Sequence, residues 1–446
     1  MITQRHFRSI AGALLLAAPA GAQAPVTLTL GGAVRMAAER TAGPEAARLQ
    51  RDLAAERVRQ SRADFLPTLS AVASDGERTF NSASFGISFA DPATGRTLFD
   101  PDGQVLGPVK VWDVRGALHQ SLIDPGAVAR LRAAQATYDA STRAAASAAQ
   151  QAAVAAALTH VRALRAEAEV SARIADSSLA AELLGIARAQ VDAGVGVALD
   201  VTRALAQLSA ARSQLIAARA ERDRERIALA RAVGLPPGTP LVLGDTLPSD
   251  PIGAVPDVAA SLRTATVARA DLASAAADAR AAERSLEVTR AEALPSLSLY
   301  VDQGVTGKAT QHLLNTYTWG LQLSVPLFDG FKRTSRADQA RLAIREADVR
   351  HRDLEQQVAA DVQAAVLDLR AARDLLAASE ERVNLAEQEV SQARDRFRAG
   401  VTGNADVIAA QLALNAARTQ AIDARAALLA ARVSLARAQG TITDLP

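Results

Sequence analysis

Two hydrophobic periods alternate along the chain, and the alternation occurs twice. In residues 127–193 and 331–399 apolar residues recur at three- and four-residue spacing, as at Val383, Leu385, Ala386 and Val390. That is the spacing of one helix face. The second run has no proline or glycine, and the first has no proline and no glycine before Gly185. Each run of about 67 residues predicts a helix about 100 Å long. Charges every few positions exclude a membrane span and leave packing against neighbouring helices. Shorter helical stretches are predicted at 29–66, 199–234, 257–294 and 405–440, with a break near Gly43-Pro44.

Period two takes over in four segments, predicted as strands at about 67–90, 108–123, 295–306 and 315–328. In the last, Tyr317, Trp319, Leu321, Leu323, Val325 and Leu327 alternate with Thr318, Gly320, Gln322, Ser324 and Pro326. In the second, Trp112, Val114, Gly116, Leu118 and Leu122 alternate with Asp113, Arg115, His119 and Ser121. In the third, Leu297, Leu299 and Val301 alternate with polar residues that include Asp302. The first is less regular, with Phe85, Ile87 and Phe89 clearest. One face is apolar and the other polar, which suits a half-buried sheet or a barrel strand between lipid and water.

The order of elements is duplicated. RADFLPTLS at 62–70 answers to RAEALPSLS at 290–298, and LIDPG at 122–126 to LFDG at 327–330. VDAGVGVALDV at 191–201 answers to FRAGVTGNADV at 397–407. The period of about 200 residues is too long for a solenoid. The chain therefore divides into a first repeat at 25–234, a Pro/Gly-rich linker at 235–256 and a second repeat at 257–446. The turns at about 191–200 and 397–406 place Gly194 and Gly400 where a left-handed residue stops a helix. Asp200 and Asp406 follow near the start of the returning helices, where an acid suits the dipole.

Composition sharpens this reading. Residues 1–24 combine Arg5, His6 and Arg8, an apolar run at 10–18 and Ala22-Gln23-Ala24, the signature of a secretory signal peptide. The formal charge of +2 rests on Arg5 and Arg8. The mature chain is formally neutral and has no surplus charge for nucleic acid. There is no cysteine, which excludes disulfides, thiolate metal sites and a lipidated N-terminal cysteine. Apolar residues make up 49% of the chain but aromatics only 3%. Alanine fills the difference, favouring helices that approach closely.

Four strands cannot close a barrel, and an open edge in lipid is forbidden. A membrane sheet here must be shared with copies of the same chain, and three copies give twelve strands. Trp112, Leu118, Tyr317, Trp319, Leu321 and Leu323 would then face lipid. Asp113, Arg115, His119 and Asp302 would line a wet lumen.

The duplicated LP-S-L-S entry, the LIDPG and LFDG exits and the two turns followed by Asp-Val resemble the TolC-like outer-membrane efflux proteins (outer membrane factors). The resemblance spans essentially the whole mature length. It implies a mainly α fold with a membrane β-barrel portion, in which a homotrimeric twelve-stranded barrel continues into an α-helical periplasmic tunnel. It also implies a periplasmic adaptor (membrane fusion) protein and a proton- or ATP-driven inner-membrane pump as partners. An acid of the second turn, here Asp406, narrows the entrance in that family. A tyrosine and an arginine tie the second turn to an acid of the first. The acid is Asp200, but the other positions are Phe397 and Thr402, so a more weakly latched entrance is expected.

The sequence holds no phosphate loop, no nucleophile–base set and no paired carboxylates in a pocket. His351 and Glu355 stand four apart with no third ligand nearby, which suits a solvated helix face better than a metal site. An enzyme, a cofactor and a metal are therefore not expected. The leading function is a passive outer-membrane conduit of a tripartite efflux system. The alternatives are a conduit for type I protein secretion and a soluble periplasmic coiled-coil adaptor or scaffold.

Overall fold

The computed structural model describes residues 25–85, 93–94, 102–249 and 254–445. The predicted leader at 1–24 lies outside them, as do Ile87 and Phe89. The chain forms two compact units. One comprises Gly43–Ala149 and Ala259–Val362; the other comprises the chain up to Ala42, Gln150–Val258 and the chain from Gln363. Each unit draws on both repeats.

The first unit holds a four-stranded antiparallel sheet of β2 (Thr68–Asn81), β3 (Val105–Ile123), β5 (Ser296–Gly307) and β6 (Leu314–Ser324), in that order. One row across it reads Thr68, His119, Tyr300, Gly320; the next reads Leu69, Leu118, Val301, Trp319. Along these rows period-two side chains thus sort into a polar and an apolar face, while Asp75, Glu77 and Lys110 fall on the apolar side farther along β2 and β3. The predicted first strand is too long: β2 stops at Asn81, and Phe85 falls in a 3₁₀ turn, Ser82–Phe85. The last strand also stops early, at Ser324. Pro326 cannot donate to a ladder, and Gly330 and Phe331 have positive φ. A bulge between Ser121 and Ile123 takes Leu122 out of the alternation and sets Ile123 opposite Leu297.

Both long helices form: α3 runs over Pro125–Asp192 and α7 over Lys332–Arg398. They return as α4 (Ala198–Ala232) and α8 (Asn404–Gln439). The stretches 29–66 and 257–294 are each two helices instead of one. They are α1 (Leu30–Arg40) with α2 (Ala42–Ala63), and α5 (Val258–Ala268) with α6 (Ala270–Ala291). The first break is at Thr41, not at Gly43-Pro44. Pro44 sits in the first turn of α2, where its missing N–H has no helical acceptor to lose. Thr41 is extended, and its hydroxyl donates to Ala37 O at 2.7 Å. The second break is at Arg269, whose buried guanidinium holds Asp271 at 2.6 Å and Asp361 of α7 at 3.1 Å.

In the second unit, β1 (Val26–Leu28) pairs in parallel with β4 (Leu241–Leu243), a strand inside the Pro/Gly-rich linker. Around the pair lies a core of small and branched residues. Val34, Ala153, Ala157, Leu164, Val433 and Ala436 form one cluster. Leu28, Ala37, Ala156, Leu229, Val233 and Leu241 form another. Asp245, just past β4, accepts the Leu30 N–H at 2.5 Å and stands 3.2 Å from Nε2 of buried His160.

Candidate functional site

The two hairpin turns have the same backbone. Gly194 and Gly400 have φ of +75° and +68°, which glycine adopts without steric cost. Gly194 N–H donates to Val191 O at 2.9 Å and Val195 N–H to Gln190 O at 3.0 Å. Gly400 N–H donates to Phe397 O and Val401 N–H to Arg396 O, both at 3.0 Å. Each is a Schellman stop that satisfies carbonyls of the helix end. Asp200 and Asp406 then fall in the first turns of α4 and α8. Asp200 stands 3.7 Å from Arg203, and Asp406 is exposed.

Contacts between the hairpins show what Phe397 does. Its ring is 2% exposed and packs with Leu183, Leu184, Ala187, Ala204, Leu208 and Val407. Its carbonyl accepts Gln190 Nε2 at 2.7 Å. Asn404, fully buried, donates from Nδ2 to the Asp200 carbonyl at 2.9 Å. Arg398 reaches Glu182 at 2.6 Å. Among the described residues of one chain, then, the hairpins are joined by a buried ring, by amides aimed at carbonyls and by the Arg398–Glu182 ion pair, and Asp200 takes part through its carbonyl. Thr402 Oγ1 is buried with no hydrogen-bond partner among the described residues. The sequence singled out neither Gln190 nor Asn404; the one available signal was a polar residue opening α8.

Farther from the turn, Asp176 is a buried hub. Arg173 holds it at 2.9 Å and Arg418 of α8 at 3.3 Å. Arg173 also meets Glu169 at 2.6 Å, and Arg418 meets Glu387 of α7 at 3.2 Å. Burial pushes the Asp176 carboxyl above the usual carboxylate range, against the pull of both arginines. These charges recur at intervals that read as solvated surface, and only the packing of three helices buries Asp176 among them.

On the sheet, Asp113, Arg115, His119 and Asp302 share the polar face. Arg115 grips Asp113 through Nε and Nη2 at 2.9 and 2.7 Å and reaches Asp302 through Nη1 at 2.7 Å. Gly304 lies opposite, where a Cβ would strike the Arg115 backbone. His119 stands apart from this cluster, opposite Tyr300. Trp112, Leu118, Tyr317, Trp319, Leu321 and Leu323 share the apolar face. Trp319 and Leu323 are 67% and 66% exposed in the single chain.

His351 and Glu355 approach at 3.7 Å. Among the described residues no three His, Cys, Asp or Glu side chains are grouped to hold a metal ion. No described helix is long and apolar enough to cross a membrane.

The family model for outer membrane efflux proteins matches residues 33–235 and 262–441. Protein CyaE of Bordetella pertussis is 28% identical over 326 residues, 72% of this chain and 69% of that protein. The solved outer membrane protein VceC of Vibrio cholerae superposes with a TM-score of 0.73 at 18% identity, over 92% of this chain and 96% of that one. The open state of the MtrE outer membrane channel of Neisseria gonorrhoeae gives 0.73 at 19% identity, over 92% and 88%.

Proposed function

The chain belongs to the outer membrane efflux protein family, and we propose that it is the passive outer-membrane conduit of a tripartite efflux system. One observation carries this. The two-faced sheet, whose outer strands β2 and β6 have no further partner among the described residues, is joined directly to helices of 68 and 67 residues. Three copies would close the sheet into twelve strands, removing edges that lipid does not tolerate. The apolar face, with Trp112, Leu118, Tyr317, Trp319, Leu321 and Leu323, would meet lipid. Asp113, Arg115, His119 and Asp302 would line the lumen, where the Arg115 cluster offers fixed charge of both signs to water.

The hairpin turns form the periplasmic entrance. Asp406 is exposed at the start of α8, and three copies about an axis would concentrate its charge there. Energy comes from an inner-membrane pump reached through a periplasmic adaptor, with no catalysis by this chain. The test is single-channel conductance of the purified mature chain in a planar bilayer, with Asp406→Ala beside it. Discrete cation-selective steps that change in the variant support the reading. A chain that stays soluble without detergent and never conducts would replace it with a periplasmic scaffold.

A further inference from the structure

The joint between the two halves of the chain is already formed, and we infer that it is the template for the joint to a second copy, with its charges exchanged. The inference rests on the trimeric reading above.

The duplication sets the correspondence. α1 and α2 match α5 and α6 boundary for boundary at 228 residues. α3 matches α7 at 206. The heads of those helices check the offset, because Arg130–Asp64 at 3.2 Å becomes Arg336–Glu292 at 2.8 Å. The tails check it again, at Gly194 and Gly400. β2 matches β5 at 228 and β3 matches β6 at 205, because Thr68 opposite His119 becomes Ser296 opposite Ser324.

Within the chain, β3 and α3 of the first half meet β5 and α6 of the second. Asp139 on α3 pairs with Arg280 on α6 at 3.4 Å. Arg132 and Glu287 line one cleft between the same helices. At the open end of the chain, β6 and α7 are left to meet β2 and α2 of a second copy. There Asp139 and Arg280 become Arg345 and Asp52, and Arg132 and Glu287 become Asp338 and Arg59. Both pairs reverse sign on both sides and stay complementary. A change on one side alone would have set like charges face to face.

Side-chain bulk follows the same map. Ala136 and Ala277, which line the joint inside the chain, become Leu342 and Leu49, 62% and 58% exposed in one copy. Two leucines exposed at matching places on α7 and α2 are what a covered joint needs. In the sheet, Ala117 opposite Asp302 and Arg115 opposite Gly304 become Gln322 opposite Ser74 and Gly320 opposite Gly76. That closing register keeps polar residues on the polar face. The exchanged charges also give the two joints different partners: a half that meets its own kind of joint places Asp against Asp or Arg against Arg. This disfavours joining a first half to a first half, or a second half to a second half.

The natural chain has no cysteine, so a cysteine pair reports cleanly. Opposed residues on paired strands lie about 4.5–5.5 Å apart at Cα, within reach of a disulfide. Ser74→Cys with Gln322→Cys, oxidised in detergent, is expected to run as a covalent three-copy species on a denaturing gel. Ser70→Cys with Gln322→Cys, displaced by about 13 Å, is expected to run as a single chain. Crosslinking of the displaced pair overturns the register. So does crosslinking of neither pair while the native mass is that of three copies. A native mass of one copy is a different failure, that of the trimeric reading. Asp52→Arg is expected to lower the temperature at which the assembly dissociates, and Arg345→Asp added to it is expected to restore that temperature. A double variant no better than the single one overturns the charge pairing.

Discussion

At the ends of α3 and α7 the backbone makes the same turn, with a left-handed glycine and the same two hydrogen bonds, yet the side chains at matching positions differ. Val191 in the first turn is half-buried, whereas Phe397 in the second is 2% exposed and sits in a cluster drawn mainly from the first hairpin. The first hairpin supplies a socket and the second supplies the plug. Conserving backbone geometry across a duplication therefore leaves the halves free to divide labour through side chains.

Removing the plug should unsettle both hairpins. Phe397→Ala is expected to cost about 3–5 kcal/mol, the range for an emptied aromatic site, and to raise hydrogen exchange across both turns. Val191→Ala is expected to cost about 1 kcal/mol and to leave the second turn protected. Equal effects at the two positions would mean that the turns are held alike.

The helix breaks extend the contrast. Thr41 and Arg269 occupy matching positions, but the Thr41 side chain closes its break with one neutral hydrogen bond to Ala37. Arg269 is buried against Asp271 and Asp361. A hydrogen bond to a charged group is worth about 1.5–3 kcal/mol and a neutral one about 1. Arg269→Ala should therefore lower the thermal midpoint by more than Thr41→Ala. A larger fall for Thr41→Ala would show that the Arg269 ion pairs contribute little.

These contrasts also show why some features were legible in sequence and others were not. Helix length, the stop at Gly194 and Gly400 and the two-faced strands are local patterns, and a period of 3.6 or 2 over ten or more residues reports them directly. The break at Arg269 depends on Asp361, 92 residues away, so no local pattern announces it. Pairing of β1 with β4 joins three-residue strands on either side of residues 29–240, too short for any period. At Phe397 the resemblance pointed to a missing hydroxyl, whereas packing put the ring in a core. Asn404 and Gln190 became links between hairpins only because their amides meet carbonyls of the other hairpin.

A finer difference between the halves lies at His160. His160 and Val366 match at 206 residues, and both are fully buried. In the first half the imidazole serves Asp245, which also holds the start of α1; the second half has a plain hydrocarbon there. Burial is the largest influence on His160 and pushes its pKa below the ordinary histidine value, against the opposing pull of Asp245. The folded state therefore resists protonation more than the unfolded chain does. Its stability contribution is full above about pH 6.5, the unfolded value, and declines as pH falls below it, because the unfolded chain then binds the extra proton. His160→Val copies the second half into the first. The variant is expected to be slightly less stable at pH 8, having lost the bond to Asp245, and to show a flatter decline between pH 6.5 and 5. Thermal midpoints of both proteins measured across that interval decide the matter, and parallel curves would mean that His160 takes no part in the acid response.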